Sequence, residues 1–193
     1  MFNFDNSKKV FLAKKDKSNK GSFDYRIIEL CNDLNNKRDY FTTSSCSGRI
    51  VLIRESKKKM PGLILFRNHD IVDFNDLKRE LSNIYNEKKL KKEKIYFKQE
   101  PCLLVASCRD KNSQWKLFSS ARNHGWKKSG ILSLDKKFLV ELISTENISF
   151  PIYDKGRILV DDFFLKIALK TSNVNLKKGW SKINRLREII KSY

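Results

Sequence analysis

Between residues 40 and 53 the chain spells two β-forming runs, Tyr40-Phe41-Thr42-Thr43 and Ile50-Val51-Leu52-Ile53, separated by Ser44-Ser45-Cys46-Ser47-Gly48 and Arg49. β-branched and aromatic runs broken by small polar residues read as two strands joined at a turn. The first run and the turn carry no lysine in a chain otherwise rich in lysine and asparagine. Small residues let a ligand come close to the backbone, N–H and hydroxyl groups donate hydrogen bonds, and an arginine fork grips a carboxylate or phosphate. An ordinary turn has the same composition, so the stretch is a candidate binding wall whose meaning depends on its neighbours.

Those neighbours alternate in clusters. Residues 1–19 suggest a short helix or a basic arm anchored by Val10-Phe11-Leu12, and Ser22 can cap a helix whose Phe23, Ile27, Cys31 and Leu34 share a face and which ends at Asn35-Asn36. Leu63-Ile64-Leu65-Phe66 reads as a third strand that delivers Arg67-Asn68-His69-Asp70 at its end. The spacing of Phe74, Leu77, Leu81 and Ile84 predicts a helix over 73–91, with a dense basic end at 88–94. Two further strands follow, 95–97 and a nearly all-apolar 102–107 that should be central. A helix from Asp110 stops at Gly125, Trp126 to Gly130 leads into a hairpin over 132–144 turning at Asp135-Lys136-Lys137, and 151–153 and 157–160 are extended. Two helical segments close the chain, one capped by Asp161 or Asp162 and one over 179–193 with Trp180, Ile183, Leu186 and Ile190 inward.

Helices and hairpins in clusters rather than strict alternation imply α+β, with a mixed or mostly antiparallel sheet flanked by helices. A glycine-rich G-x-G-x-x-G loop is absent, so a Rossmann methyltransferase is not what the sequence describes. A helix leading into a Ser/Gly strand entrance occurs twice, which suggests two similar halves within a single domain spanning 1–193. At 193 residues and a net charge of +19, the chain can bury a sizeable core and should attract a polyanion. No apolar run is long enough for a bilayer, which leads us to expect a cytoplasmic protein without a membrane partner. Cys31, Cys46, Cys102 and Cys108 are irregularly spaced with no C-x-x-C pair, so reduced thiols are expected and a metal site is not.

Several motifs together resemble the wybutosine-synthesis methyltransferases, the third-step enzymes of tricyclic guanosine formation in archaeal and eukaryotic tRNA. They are Ser44 to Arg49; the pattern Asp16-x-Ser18-x-Lys20-Gly21-Ser22-x-Asp24; His69-Asp70; Trp126 to Ile131; and Ser172-Asn173. The resemblance runs over most of the chain. It implies transfer of a methyl group from S-adenosylmethionine to N4 of a 4-demethylwyosine-type guanosine 3′-adjacent to the anticodon of tRNA-Phe, with the anticodon arm as partner. It further implies a cofactor wall of Ser44, Ser45, Cys46, Ser47, Gly48, Arg49, Ser129 and Gly130. Proton handling falls to Asp24, His69 and Asp70, and substrate contacts to Ser18, Lys20, Gly21, Ser22 and Asn173. Four positions depart from the family pattern: Val105 where a histidine is common, Ile143 where an arginine is common, Ile64 for tryptophan and Asn68 for serine. The rival reading is a non-catalytic basic RNA-binding protein.

Overall fold

In the computed structural model, residues 3–13, 24–58, 60–135 and 137–193 are described. Among the described residues five α-helices and nine strands follow in order: α1 (Phe4–Leu12), α2 (Tyr25–Asn36), β1 (Tyr40–Cys46), β2 (Arg49–Arg54), β3 (Ile64–Asn68), α3 (Phe74–Asn86), β4 (Lys94–Glu100), β5 (Leu103–Cys108), α4 (Lys111–Asn123), β6 (Gly130–Ser133), β7 (Phe138–Ile143), β8 (Ile148–Asp154), β9 (Arg157–Ile158) and α5 (Asp162–Lys191). All strand pairings are antiparallel, in two sheets ordered β1-β5-β7-β6 and β3-β2-β4-β8-β9. The expected α+β class is what the chain forms.

The chain divides into two compact units. Unit 1 takes residues up to Ser47, Cys102–Thr145 and Gly179–Tyr193; unit 2 takes Gly48–Pro101 and Glu146–Lys178.

Unit 1 buries one face of its four-stranded sheet. Leu104, Ala106 and Cys108 of β5 and Val140 and Leu142 of β7 meet Ile27, Leu30 and Leu34 of α2, Leu117 and Ala121 of α4, and Ile183, Leu186 and Ile190 of α5. Each fully buried aliphatic side chain contributes roughly 1.5–3 kcal/mol, which makes this cluster the main source of unit 1's stability. The start of α4 is sealed locally. Asp110 and Ser113 form a reciprocal capping box at α4, and the N–H of Ser113 holds the Asp110 carboxyl below its usual range. At the far end Gly125, at φ +99°, stops the helix and turns the fully buried Trp126 inward.

In unit 2, Ile50, Leu52, Ile95 and Phe97 of the sheet, Leu77, Leu81 and Ile84 of α3, and Leu165, Leu169 and Leu176 of α5 are buried. Phe150 stacks on Phe97 and meets Phe164 edge-on, placing α5 against this face.

Several sequence expectations shift. The strands of the opening stretch are not partners: β1 pairs with β5 in unit 1, whereas β2 pairs with β3 and β4 in unit 2. Ser44, Ser45 and Cys46 belong to β1 itself, leaving only Ser47-Gly48 as the corner. The third strand extends to Asn68, and the helix after Asp73 ends at Asn86, with a separate 3-10 turn at Lys88–Leu90. The two closing helices are one, running through Gly179 without a break. At the N-terminus the buried anchor is Phe4, while Val10, Phe11 and Leu12 are exposed. The helix-then-Ser/Gly-strand echo falls inside unit 1, where β1 and β6 are the two edges of a single sheet.

Candidate functional site

In an antiparallel sheet, residues directly opposite one another share a face. The register of unit 1 therefore writes out the face turned away from the α2–α4–α5 core. One row across all four strands is Ser44, Val105, Glu141 and Gly130; the next is Cys46, Leu103 and Ile143. A third, Phe41, Ser107 and Leu139, is covered at Phe41 by Phe4 and Phe11 of α1, with ring centroids at 5.3 and 5.7 Å. Three strand spacings make the row about 14 Å wide. Ser44 is exposed, Val105, Glu141, Gly130, Cys46, Leu103 and Ile143 are half-buried, and Ser107 is buried with a hydroxyl that finds no partner among the described residues.

A bulge sets this arrangement. The register slips between Thr42 and Ser44, so Thr43 is the extra residue, and its hydroxyl donates to the Val105 carbonyl at 3.3 Å. Asn35, at the end of α2, holds the bulge by accepting from the Thr42 N–H at 2.7 Å. Beyond it Ser44 and Cys46 face outward, while Ser45 and Thr42 hydrogen-bond the Cys31 thiol; burial pushes that thiol up and the two hydrogen bonds pull against it.

The corner that follows is clasped from below. Asp24, at the N-cap position of α2, accepts the Ser47 N–H at 2.5 Å, and the Cys102 thiol donates to the Ser47 carbonyl at 3.1 Å. Ser47 is fully buried, and Gly48 sits at φ +91°, the left-handed region that favours glycine. A Cβ on Gly179 would lie 2.5 Å from the Cys102 sulfur, so only glycine lets α5 pass this closely.

The opposite edge is built otherwise. Ser129 donates to the Trp126 carbonyl at 2.5 Å and accepts the Ile143 N–H at 3.1 Å, so its hydroxyl closes a turn. Next to it, a Cβ on Gly130 would meet nothing within 4 Å.

Of the other candidates, Ser18, Lys20, Gly21 and Ser22 lie outside the described residues. Asp24, Ser44, Ser45, Cys46, Ser47, Ser129 and Gly130 all fall in unit 1. In unit 2 the Arg49 Nε is bound to Glu100, its cross-strand partner, at 2.5 Å. His69 and Asp70 follow β3, half-buried, with the Asp70 N–H donating to Asn68 at 2.8 Å. Asn173 on α5 pairs with the backbone of Val72 in both directions, accepting its N–H at 3.1 Å and donating to its carbonyl at 2.9 Å. It thus pins the segment that follows the His-Asp pair.

Sequence reading missed Glu141. Its signal was available: within Phe138-Leu139-Val140-Glu141-Leu142-Ile143 it is the one charged residue in an apolar strand. Both unit 1 departures from the family pattern, Val105 and Ile143, share its face.

The family model described as Methyltransferase TYW3 matches residues 6–192. A tRNA(Phe) 7-((3-amino-3-carboxypropyl)-4-demethylwyosine(37)-N(4))-methyltransferase of Methanocaldococcus jannaschii is 35% identical over 182 residues, which cover 89% of this chain and 90% of the relative. Its namesake from Archaeoglobus fulgidus is 32% identical over 177 residues, covering 90% and 86%. The solved structure of PH1069 from Pyrococcus horikoshii superposes with a TM-score of 0.86 at 28% identity, over 98% of this chain and 95% of that one. Sequence, motif order and architecture agree, and the chain belongs to the TYW3 methyltransferase family.

Proposed function

We propose that the chain, working as one unit from Met1 to Tyr193, methylates N4 of a 4-demethylwyosine-type guanosine beside the anticodon of tRNA-Phe, with S-adenosylmethionine as donor. The observation that carries the reading is the row Ser44, Val105, Glu141 and Gly130, which puts residues from both predicted strand entrances on one sheet face of unit 1.

The residues fit the donor and the base. Val105, Leu103 and Ile143 offer a flat apolar floor, Gly130 leaves open space above the sheet, Ser44 offers a hydroxyl, and Glu141 supplies one carboxylate. S-adenosylmethionine, when bound, supplies an electrophilic methyl on a sulfonium. The acceptor nitrogen loses its proton as the new N–C bond forms and the S–C bond breaks, so the protein need only align the two and receive that proton. Glu141 takes the proton. Asp24 acts through Ser47, holding the corner that aims Ser44 and Cys46. In unit 2, Asn173 holds the segment that follows His69 and Asp70, with His69 orienting Asp70. No covalent enzyme intermediate is needed, and Cys46 serves as a small wall residue.

The test is mass analysis of nucleosides from hypomodified tRNA-Phe incubated with protein and S-adenosylmethionine. A gain of one methyl on the tricyclic guanosine is expected, with Glu141→Gln slowing turnover at least tenfold and leaving donor binding intact. Unchanged nucleosides with bound tRNA would instead favour the non-catalytic RNA-binding protein, a reading that Val105 and Ile143 keep open.

A further inference from the structure

We propose that the lysine-rich end of the five-stranded sheet in unit 2 docks the phosphate backbone of the RNA substrate. The inference rests on the methyl-transfer reading only for the identity of that RNA.

Three connections meet at this end of the sheet. The β2–β3 connection carries Lys57 and Lys58; the 3-10 turn and the residues after it carry Lys88, Lys91 and Lys92; and the β8–β9 turn carries Lys155. Backbone contacts lock the three together: the Glu55 N–H donates to the Lys94 carbonyl at 2.8 Å, the Lys155 N–H donates to the Glu93 carbonyl at 3.2 Å, and a Cβ on Gly156 would lie 3.9 Å from the Lys91 carbonyl. All six lysines are exposed.

The carboxylates of the neighbourhood are already taken. Glu87 pairs with Lys89 at 2.6 Å, Glu93 with Arg54 at 3.6 Å, and Glu55 divides between Lys94 at 3.8 Å and the Tyr96 hydroxyl at 3.1 Å; the fourth carboxylate, Asp154, is offset in charge by Arg157, its partner across the ladder. The six lysines therefore stand as an excess of positive charge on a rigid sheet end, the arrangement that neutralises phosphates and releases their counterions.

Two features go beyond charge. The β8–β9 hairpin turns through Lys155 at φ +44° and Gly156 at φ +85°, a two-residue turn with both central residues left-handed, where asparagine or aspartate before glycine relieves the strain. A lysine held there is strained and projects at the tip of the hairpin. Tyr96 faces the side of the sheet away from the core, with the ammonium groups of Lys94 and Lys98 at 5.4 and 5.8 Å from its ring, and Lys98 shares a row with the exposed Arg67. An aromatic ring among cations is a stacking place for an unpaired base beside its phosphate.

The test compares the whole chain with the variant Lys57→Gln/Lys58→Gln/Lys91→Gln/Lys92→Gln, binding a tRNA-Phe transcript across a salt series. A control variant removes as many exposed lysines from α5, at 166, 170, 177 and 178. Each lost phosphate contact flattens the plot of log K against log salt by up to about 0.9, so the sheet-end variant should lose about 2–4 from the slope and bind at least tenfold more weakly near 0.1 M salt. Its KM for tRNA should rise with kcat and donor binding unchanged, and its unfolding midpoint should match that of the wild type. An unaltered slope, an equal loss in the α5 control, or a loss of binding to anionic phosphatidylglycerol vesicles but not to tRNA would overturn the docking surface. A wild type that transfers no methyl yet shows the slope difference refutes the function and supports the surface; one that methylates while the variant binds normally does the reverse.

Discussion

The two Ser/Gly stretches, Ser44 to Gly48 and Ser129-Gly130, look alike as sequence and divide the physical work in opposite ways. At Ser47-Gly48 the fold needs the glycine, which sits at φ +91°, while the neighbouring Ser44 turns its hydroxyl out onto the open face. At Ser129-Gly130 the fold needs the serine, whose hydroxyl ties Trp126 to Ile143, while the glycine has ordinary backbone angles and empty space beside it. In each short stretch one residue is kept for the fold and another is left for a ligand, with the glycine and the serine exchanging those roles.

The sharpest way to break the first entrance is from underneath. Gly179→Ala would drive a methyl to 2.5 Å from the Cys102 sulfur, the atom that donates to Ser47, and neither α5 nor β5 can yield without disturbing the core. Overpacking of this kind costs about 2–3 kcal/mol, or a fall of about 4–12 °C in Tm for a chain of this size. Thermal unfolding of Gly179→Ala, Cys102→Ala and the double variant checks it: the double should be more stable than the sum of the singles implies, because removing the sulfur opens the space that the alanine needs. Strict additivity would mean that the contact is not what excludes alanine.

Exchanging the serines sharpens the comparison. Ser129→Ala leaves the Ile143 N–H without its acceptor, a loss of about 1–3 kcal/mol in denaturant unfolding. Ser44→Ala, at an exposed edge position, should change stability by less than about 0.5 kcal/mol while raising the KM for the donor or the tRNA. Equal stability losses at the two positions would erase the distinction.

Much of this fold was legible in the residues. The α+β class, the stop at Gly125, the hairpin after Gly130 and the inward Leu77, Leu81 and Ile84 all follow from local pattern, because capping, turn chemistry and helical spacing are decided within a few residues. Partner choice is not. Nothing in Tyr40 to Ile53 says that its two strands enter different sheets, since that is settled by β5 and β4, far along the chain. The same limit applies to the site. Arg49 reads as an anion receptor until Glu100 is found across the ladder, and Ser129 as a donor until Ile143 is found beneath it. Glu141 stands out in the sequence as a lone charge within an apolar strand, but only the register, which sets it beside Val105 and Gly130, makes it a site candidate. Gly179 reads as the start of a helix, whereas it lies inside a continuous one, at a point where a side chain would meet the Cys102 sulfur.

The glycines give the finest test. Gly48→Ala forces a side chain into the left-handed region, at a cost of about 1–2 kcal/mol. Gly130→Ala meets neither a backbone penalty nor a neighbouring atom, and a Gly→Ala exchange at compatible angles stabilises by about 0.4–1 kcal/mol through the unfolded chain. If the sheet face serves only as packing surface, that small gain is the whole effect and methyl transfer proceeds unchanged. If the donor or the base lies over the row from Ser44 to Gly130, the added methyl enters the space the ligand occupies, and KM rises several-fold in a protein that is no less stable than the wild type. Unfolding and turnover measured on one preparation separate the two: a Gly130→Ala variant with full activity would take the β6 edge out of the site and leave the ligand to β1, β5 and β7.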